Sequence, residues 1–335
     1  MKRRAFIQTA VLGLTGYSAF AAQQKSEARV MTVLGMVPAS RLGRTLMHEH
    51  VMVDFIGAER IAPGRYDPEE VFRKALPHLE KLKAAGGETL VECTPEFIGR
   101  DASLLRRLSK ASGLHIITNT GFYGAADDKY VPALAYKETV DELAMRWARD
   151  FEDGIPPDNV RPGIMKIGVD SGPLSEIDAK LVRAAARAHK RTGLAIASHT
   201  GNGVAAMAEL AVLKEEGVDP SAFIWVHAQN ESDTSLHHRA AALGAWVEFD
   251  GISHDSLGRH GELVLGMTRA GHLRRVLISQ DAGWYHVGEP QGGEFRGYET
   301  LFTEFLPALR QAGVTEDEID TLLIRNPRHA LALRG

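Results

Sequence analysis

Apolar residues along this chain fall into two alternating rhythms. Short runs rich in Val, Ile and Leu are separated by longer stretches whose apolar positions recur at helical spacing. Residues 46–53, 88–93, 114–120, 161–169, 194–198, 223–227, 245–249 and 276–279 read as strands. Residues 68–85, 102–112, 137–152, 175–192, 204–216, 234–243, 261–270 and 298–312 read as helices, and 315–333 adds one or two more. Eight strand-then-helix units predict a parallel sheet, and eight is the number that closes a (β/α)8 TIM barrel. No Gly-x-Gly-x-x-Gly follows the first strand and no linker divides the chain, which argues against an open doubly wound sheet. A single α/β domain is therefore predicted over residues 30–335, with a short N-terminal extension and C-terminal helices.

The first residues read as an address. Lys2-Arg3-Arg4-Ala5-Phe6-Ile7 is a twin-arginine pattern, an uncharged segment follows to residue 22, and Ala19-Phe20-Ala21 offers a small-residue cleavage site. This predicts a Tat-type signal over residues 1–22, recognition by the Tat export machinery, and a periplasmic or otherwise exported product. The segment is too short and too rich in Gly, Thr and Ser for a stable membrane anchor.

Composition narrows the chemistry. A net charge of −4 speaks against nucleic-acid or anionic-membrane partners. The single cysteine, Cys93, excludes an intrachain disulfide framework and a Cys-rich zinc site. Its apolar surroundings mark it as a buried small residue.

Polar residues at strand ends carry the functional signal. In His48-Glu49-His50, strand alternation points both imidazoles one way and Glu49 the other. Lys166 interrupts the apolar run Gly163-Ile164-Met165-Lys166-Ile167, and His199, His227 and Asp281 each end a predicted strand. Singly, such a histidine is more often a structural hydrogen-bonder, the aspartate a turn cap and the lysine an edge residue. Together, at five tips of one ring, they point to a metal site where barrel chemistry gathers. The other histidines, including His78, His115, His237 and His329, lie elsewhere and receive no role.

These pieces, with Ser198-His199-Thr200, Val226-His227 and the late Arg325-Asn326-Pro327-Arg328, resemble the phosphotriesterase family of the amidohydrolase superfamily in type, order and spacing. The resemblance implies two divalent metal ions, usually zinc. His48, His50 and Asp281 would hold the more buried ion and His199 and His227 the more exposed one. Lys166, carboxylated on Nζ, would bridge them. A carbamate is a bidentate anion, whereas an ammonium would repel two cations. Activated water would attack the substrate, and Asp281 would take its proton. Glu49 is expected to play a supporting or structural part.

The substrate is expected to be a small molecule decided by the loops. Tyr123 is a candidate pocket residue, the alternative being that it packs its own loop. Asp250 is a second, bonding a polar substrate or a proton-relay group, and Trp284 a third. Gly251 follows Asp250 where lactonases of the family often carry arginine and organophosphate hydrolases histidine, with His254 a distant substitute. The Gly-rich stretch 282–293, with Trp284 and Tyr285, reads as a mobile lid. The leading expectation is hydrolysis of an ester-like bond, a lactone or carboxyl ester first, with phosphotriester hydrolysis as a side activity. An amidohydrolase acting on a C–N bond, or a non-catalytic metal- or small-molecule-binding barrel, are the alternatives. The resemblance also suggests a homodimer.

Overall fold

A computed structural model describes residues 27–334, so the predicted signal lies outside the described residues. The strands are β1 (Arg29–Thr32), β2 (Gly35–Pro38), β3 (Thr45–Val53), β4 (Thr89–Glu92), β5 (His115–Ile117), β6 (Asn119–Thr120), β7 (Ile164–Val169), β8 (Ala195–Thr200), β9 (Phe223–Val226), β10 (Trp246–Phe249), β11 (Val276–Ile278) and β12 (Gly283–His286). The helices are α1 (Pro68–Ala84), α2 (Ala102–Ser112), α3 (Ala133–Lys137), α4 (Val140–Glu152), α5 (Glu176–Thr192), α6 (Gly203–Glu215), α7 (Thr234–Leu243), α8 (Leu257–Arg269), α9 (Leu306–Gln311), α10 (Glu316–Asp320) and α11 (Asn326–Leu331).

The barrel strands run parallel in two arcs, β12-β3-β4-β5 and β6-β7-β8-β9-β10-β11. At one seam β5 and β6 are a single predicted strand interrupted at Thr118. At the other, the Asp281 N–H donates to His48 O (3.0 Å) and the His48 N–H to Ser279 Oγ (2.8 Å). The ring is thus the predicted (β/α)8 barrel. Small and apolar residues, among them Met47, Val91, Ile164, Ala197, Val226 and Leu277, fill its interior, and a larger apolar layer joins the strands to the helices.

The differences from expectation have local causes. An antiparallel hairpin, β1 with β2, precedes the barrel and was not predicted from its short apolar runs. Helix 137–152 divides because Thr139 builds a capping box with Glu142, starting α4 afresh. Helix α8 begins at Leu257 rather than residue 261; Gly258 and Gly261 mask its first turn. The predicted helices 298–312 and 315–333 both contain a π-helical turn, over Leu301–Phe305 and Thr321–Arg325. One third of the expected lid is strand: β12 pairs with β3, Gly283 opposite His50. Gly283 has φ +101°, and a Cβ there would lie 1.7 Å from His50 O. The late motif is structural, Asn326 Nδ2 donating to Leu273 O and Val276 O beneath β11. No described helix is long and apolar enough to cross a membrane.

Candidate metal centre

The strand ends bring His48, His50, Lys166, His199, His227 and Asp281 into one cavity of about 190 Å³. In β3 the pairing with β4 slips by one residue between Leu46 and Glu49, an irregularity whose span includes His48. His48 and His50 face inward from β3, with Nε2 atoms 3.2 Å apart, and Lys166 Nζ from β7 lies 3.4 Å from His48 Nε2. The His227 ring packs against both His48 (centroids 4.9 Å apart) and His199 (4.4 Å). Asp281 Oδ1 approaches His50 Nε2 at 3.1 Å and His48 Nε2 at 3.8 Å. His227 and Asp281 hold left-handed backbone conformations, φ +61° and +53°, uncommon outside glycine and frequent where a site fixes its side chains.

The surrounding hydrogen bonds decide where the protons sit. Asp250 Oδ2 faces His48 Nδ1 (3.1 Å), and Asp250 Oδ1 faces His227 Nδ1 (2.6 Å). A carboxylate only accepts, so both rings carry their proton on Nδ1. Thr94 Oγ1 donates to Glu92, which leaves its oxygen to accept from His50 Nδ1 at 2.8 Å. His48 and His50 therefore turn bare Nε2 lone pairs toward each other and toward Asp281 Oδ1, which is buried and has no hydrogen-bond donor. Three lone-pair atoms converge with no proton among them. That donor set fits a divalent cation, and His48, His50 and Asp281 lie close enough to share one.

Electrostatics agree. Burial, reinforced by Lys166, pushes His48 down to about 3, so it stays neutral and able to ligate. Burial lowers His50 as well, and burial with His227 holds His199 well below the ordinary histidine range. Burial works against ionisation of Asp250, but the facing His227 and His48 outweigh it and hold the carboxyl well below its usual range.

Behind the donor set, buried carboxyl groups hold its members or their neighbours. Asp250 also accepts from His227 N (2.9 Å) and Gln229 Nε2 (2.7 Å). Glu209, on α6, accepts from Ser198 and Thr200, the two neighbours of His199, and burial pushes it up to about 8. Glu92 backs Thr94 and is pushed up to about 7 by burial. Such outer partners fix ring orientation and tautomer.

The substrate-pocket expectations divide. Tyr123 lines the cavity, with Oη 3.0 Å from His199 Nδ1; Gly168 leaves room for its ring, which a Cβ would meet at 2.9 Å. Trp284 also lines it, ring over His50 (4.2 Å) and Nε1 donating to Asp281 O (2.7 Å). Asp250 does not: it is fully buried behind His48 and His227, its two oxygens taken up by their Nδ1 atoms, and it is no part of the cavity lining. His254 points away, 81% exposed and bonded to Glu304, and Tyr285 turns outward to Glu70. Sequence reasoning missed Thr94 and the pocket wall of Phe55, Pro95, Ile98 and Tyr130. A short run of apolar residues just past the first three strands was the available signal.

Residues 28–331 match the phosphotriesterase family. The chain belongs to that family. Among its relatives, a phosphotriesterase homology protein of Escherichia coli is 29% identical over 85% of this chain and 96% of its own length. An aryldialkylphosphatase of Saccharolobus solfataricus is 26% identical over 87% and 96%. The N-acetyltaurine hydrolase of Homo sapiens is 28% identical over 91% and 98%. The phosphotriesterase family is binuclear and metal-dependent, in keeping with the donor set assembled here.

Proposed function

We propose that the chain is a metal-dependent hydrolase of an uncharged ester-like substrate, a lactone or carboxyl ester first, with phosphotriester hydrolysis as a side activity. The observation that carries this reading is the pocket wall. Phe55, Pro95, Ile98, Tyr130 and Trp284 are apolar or aromatic, and Lys166, at the donor set, is the sole Lys or Arg in the lining among the described residues. An anionic substrate would find no free cation to pair with. The cavity is smaller than the roughly 300–1,000 Å³ of drug-sized ligand pockets, so the buried part of the substrate is compact.

His48, His50 and Asp281 would hold one ion and His199 and His227 a second, with Lys166 between them as a carbamate; zinc suits the nitrogen-rich set. Two such ions supply acidified water and a polarised carbonyl or phosphoryl oxygen. The Asp281 carboxylate, lining the cavity beside His50, would receive the proton released on attack. Trp284 lines the cavity and bonds Asp281 O through Nε1, and Tyr123 Oη stands beside His199. Hydrolysis of a C–N bond is the second reading, favoured by the N-acetyltaurine hydrolase relative; the absence of a free cation in the lining weighs against a sulfonated amide. Metal-reconstituted protein assayed against lactones, esters, amides and phosphotriesters tests both, and turnover of none of them refutes the catalytic reading. We further propose export by the twin-arginine route, which fractionation of cells carrying Arg3→Lys with Arg4→Lys would test.

A further inference from the structure

Glu49 sits between two candidate ligands yet faces out of the barrel, fully buried. Its carboxylate reaches the opposite seam. Oε1 accepts from Ser279 Oγ (2.8 Å) and the Gln280 N–H (3.0 Å), and Oε2 accepts from the Ala282 N–H (2.7 Å). These donors bracket Asp281, the residue held at φ +53°. Ser279 Oγ meanwhile accepts from the His48 N–H, so the same strap ties the Asp281 segment to the strand that carries both histidines.

We infer that Glu49 is a positioning residue for Asp281: its carboxylate holds the 279–282 backbone in the left-handed turn that aims Asp281 Oδ1 at His48 and His50. The two backbone N–H groups cannot reverse. In Glu49→Gln, an amide nitrogen at either oxygen position must face one of them, donor against donor, whatever the protonation of the wild-type carboxyl. The turn loses a fixed point on one side of Asp281, and the side chain is freed to leave the donor set. The loss falls on ion affinity and on rate, since Phe55, Ile98 and Tyr130 make none of the strap's hydrogen bonds.

The inference rests on the proposed metal-dependent reading, and its test is arranged to separate the two. Zn2+ is bound to wild type, Glu49→Gln, Asp281→Asn and the double variant in competition with a chromophoric chelator, and kcat and KM are measured where turnover is found. Glu49→Gln is expected to weaken binding of one of two ions by about 10- to 100-fold, and to lower kcat with KM little changed. In the Asp281→Asn background the same substitution is expected to add almost nothing, because the residue it positions is already disabled. Equal ion affinity in Glu49→Gln and wild type overturns the inference. So does a full, additive loss in the double variant, which would make Glu49 a general fold element. If Glu49→Gln does not fold, Ser279→Ala removes one donor of the three and carries the same comparison. Ion binding by a wild type that hydrolyses nothing would refute the catalytic reading and leave the Glu49 test intact.

Discussion

Asp250→Asn probes the donor set most directly, because one carboxylate orients two candidate ligands. Oδ1 takes His227 Nδ1 and Gln229 Nε2; Oδ2 takes His48 Nδ1 and His227 N. An asparagine nitrogen in place of either oxygen meets one imidazole N–H head-on. That ring must move its proton to Nε2, the atom facing the cavity, and ceases to be a ligand. The bonds at stake are charge-assisted, about 1.5–3 kcal/mol each, so two of them set an upper bound near 3–6 kcal/mol. Relaxation of the pocket recovers part of this, and outer-partner substitutions at metal sites cost roughly 10- to 100-fold in affinity, or about 1.4–2.8 kcal/mol. The assay is competitive titration of metal-free protein, with bound metal counted by elemental analysis after desalting. Circular dichroism establishes that the variant is folded. A folded Asp250→Asn protein that binds two ions with wild-type dissociation constants would refute the tautomer argument.

Two further outcomes follow from the same geometry. Lys166→Ala should empty the binuclear centre, with partial recovery of metal content and rate on adding short-chain carboxylic acids that replace the carbamate; unchanged stoichiometry would remove Lys166 from the bridging position. Asp178, at the start of α5, is buried with Oδ1 unpartnered, and burial pushes its carboxyl up to about 6. A raised folded-state value means that its stabilisation is complete below the unfolded value near 4 and is lost as pH rises through 6. Metal-free wild type should lose up to about 3 kcal/mol across that window relative to Asp178→Asn, and parallel urea-denaturation profiles for the two from pH 4 to 7 would contradict this.

The candidate ligands were legible because strand alternation and strand ends are local properties of sequence. His48 and His50 share a face by period two, and although the register slip of β3 spans His48, their Nε2 atoms still meet at 3.2 Å. Asp250 was misread for the same reason it matters. Its sequence position, at a strand end, is that of a pocket residue, but its carboxylate is taken up by His48 and His227, and the approach of His48, 202 residues away, is set only by closure of the barrel. Strand β12 was hidden because its pairing is with β3, more than 200 residues earlier, and its glycine is demanded by His50 O rather than by a turn. Thr94 was missed since a threonine after a strand carries no chemical signal until His50 is seen beside it.

The site has a frame and a roof, and the two should respond to mutation separately. The frame consists of the candidate ligands and the carboxylates behind them. The roof is Phe55 with Tyr130, Ile98 and Trp284, drawn mostly from loops. Phe55 lies 5.6 Å from the Trp284 ring, 6.2 Å from Tyr130 and 6.0 Å from His286, is partly exposed, and bonds to no frame residue. Phe55→Ala should therefore leave metal content and thermal stability almost unchanged while weakening use of substrates with bulky apolar groups. Loss of one aromatic wall is worth about 1–2 kcal/mol, roughly 5- to 30-fold in kcat/KM, carried mainly by KM. Trp284 belongs to both parts, since it covers the pocket and also anchors Asp281 O and stacks on His50. Trp284→Ala should then lower kcat and metal affinity together with KM selectivity. Measuring kcat, KM and bound metal for both variants with a short-chain and a long-chain lactone or ester separates the two. If Phe55→Ala loses metal as Trp284→Ala does, roof and frame are one cooperative unit and substrate choice cannot be altered without disturbing the centre.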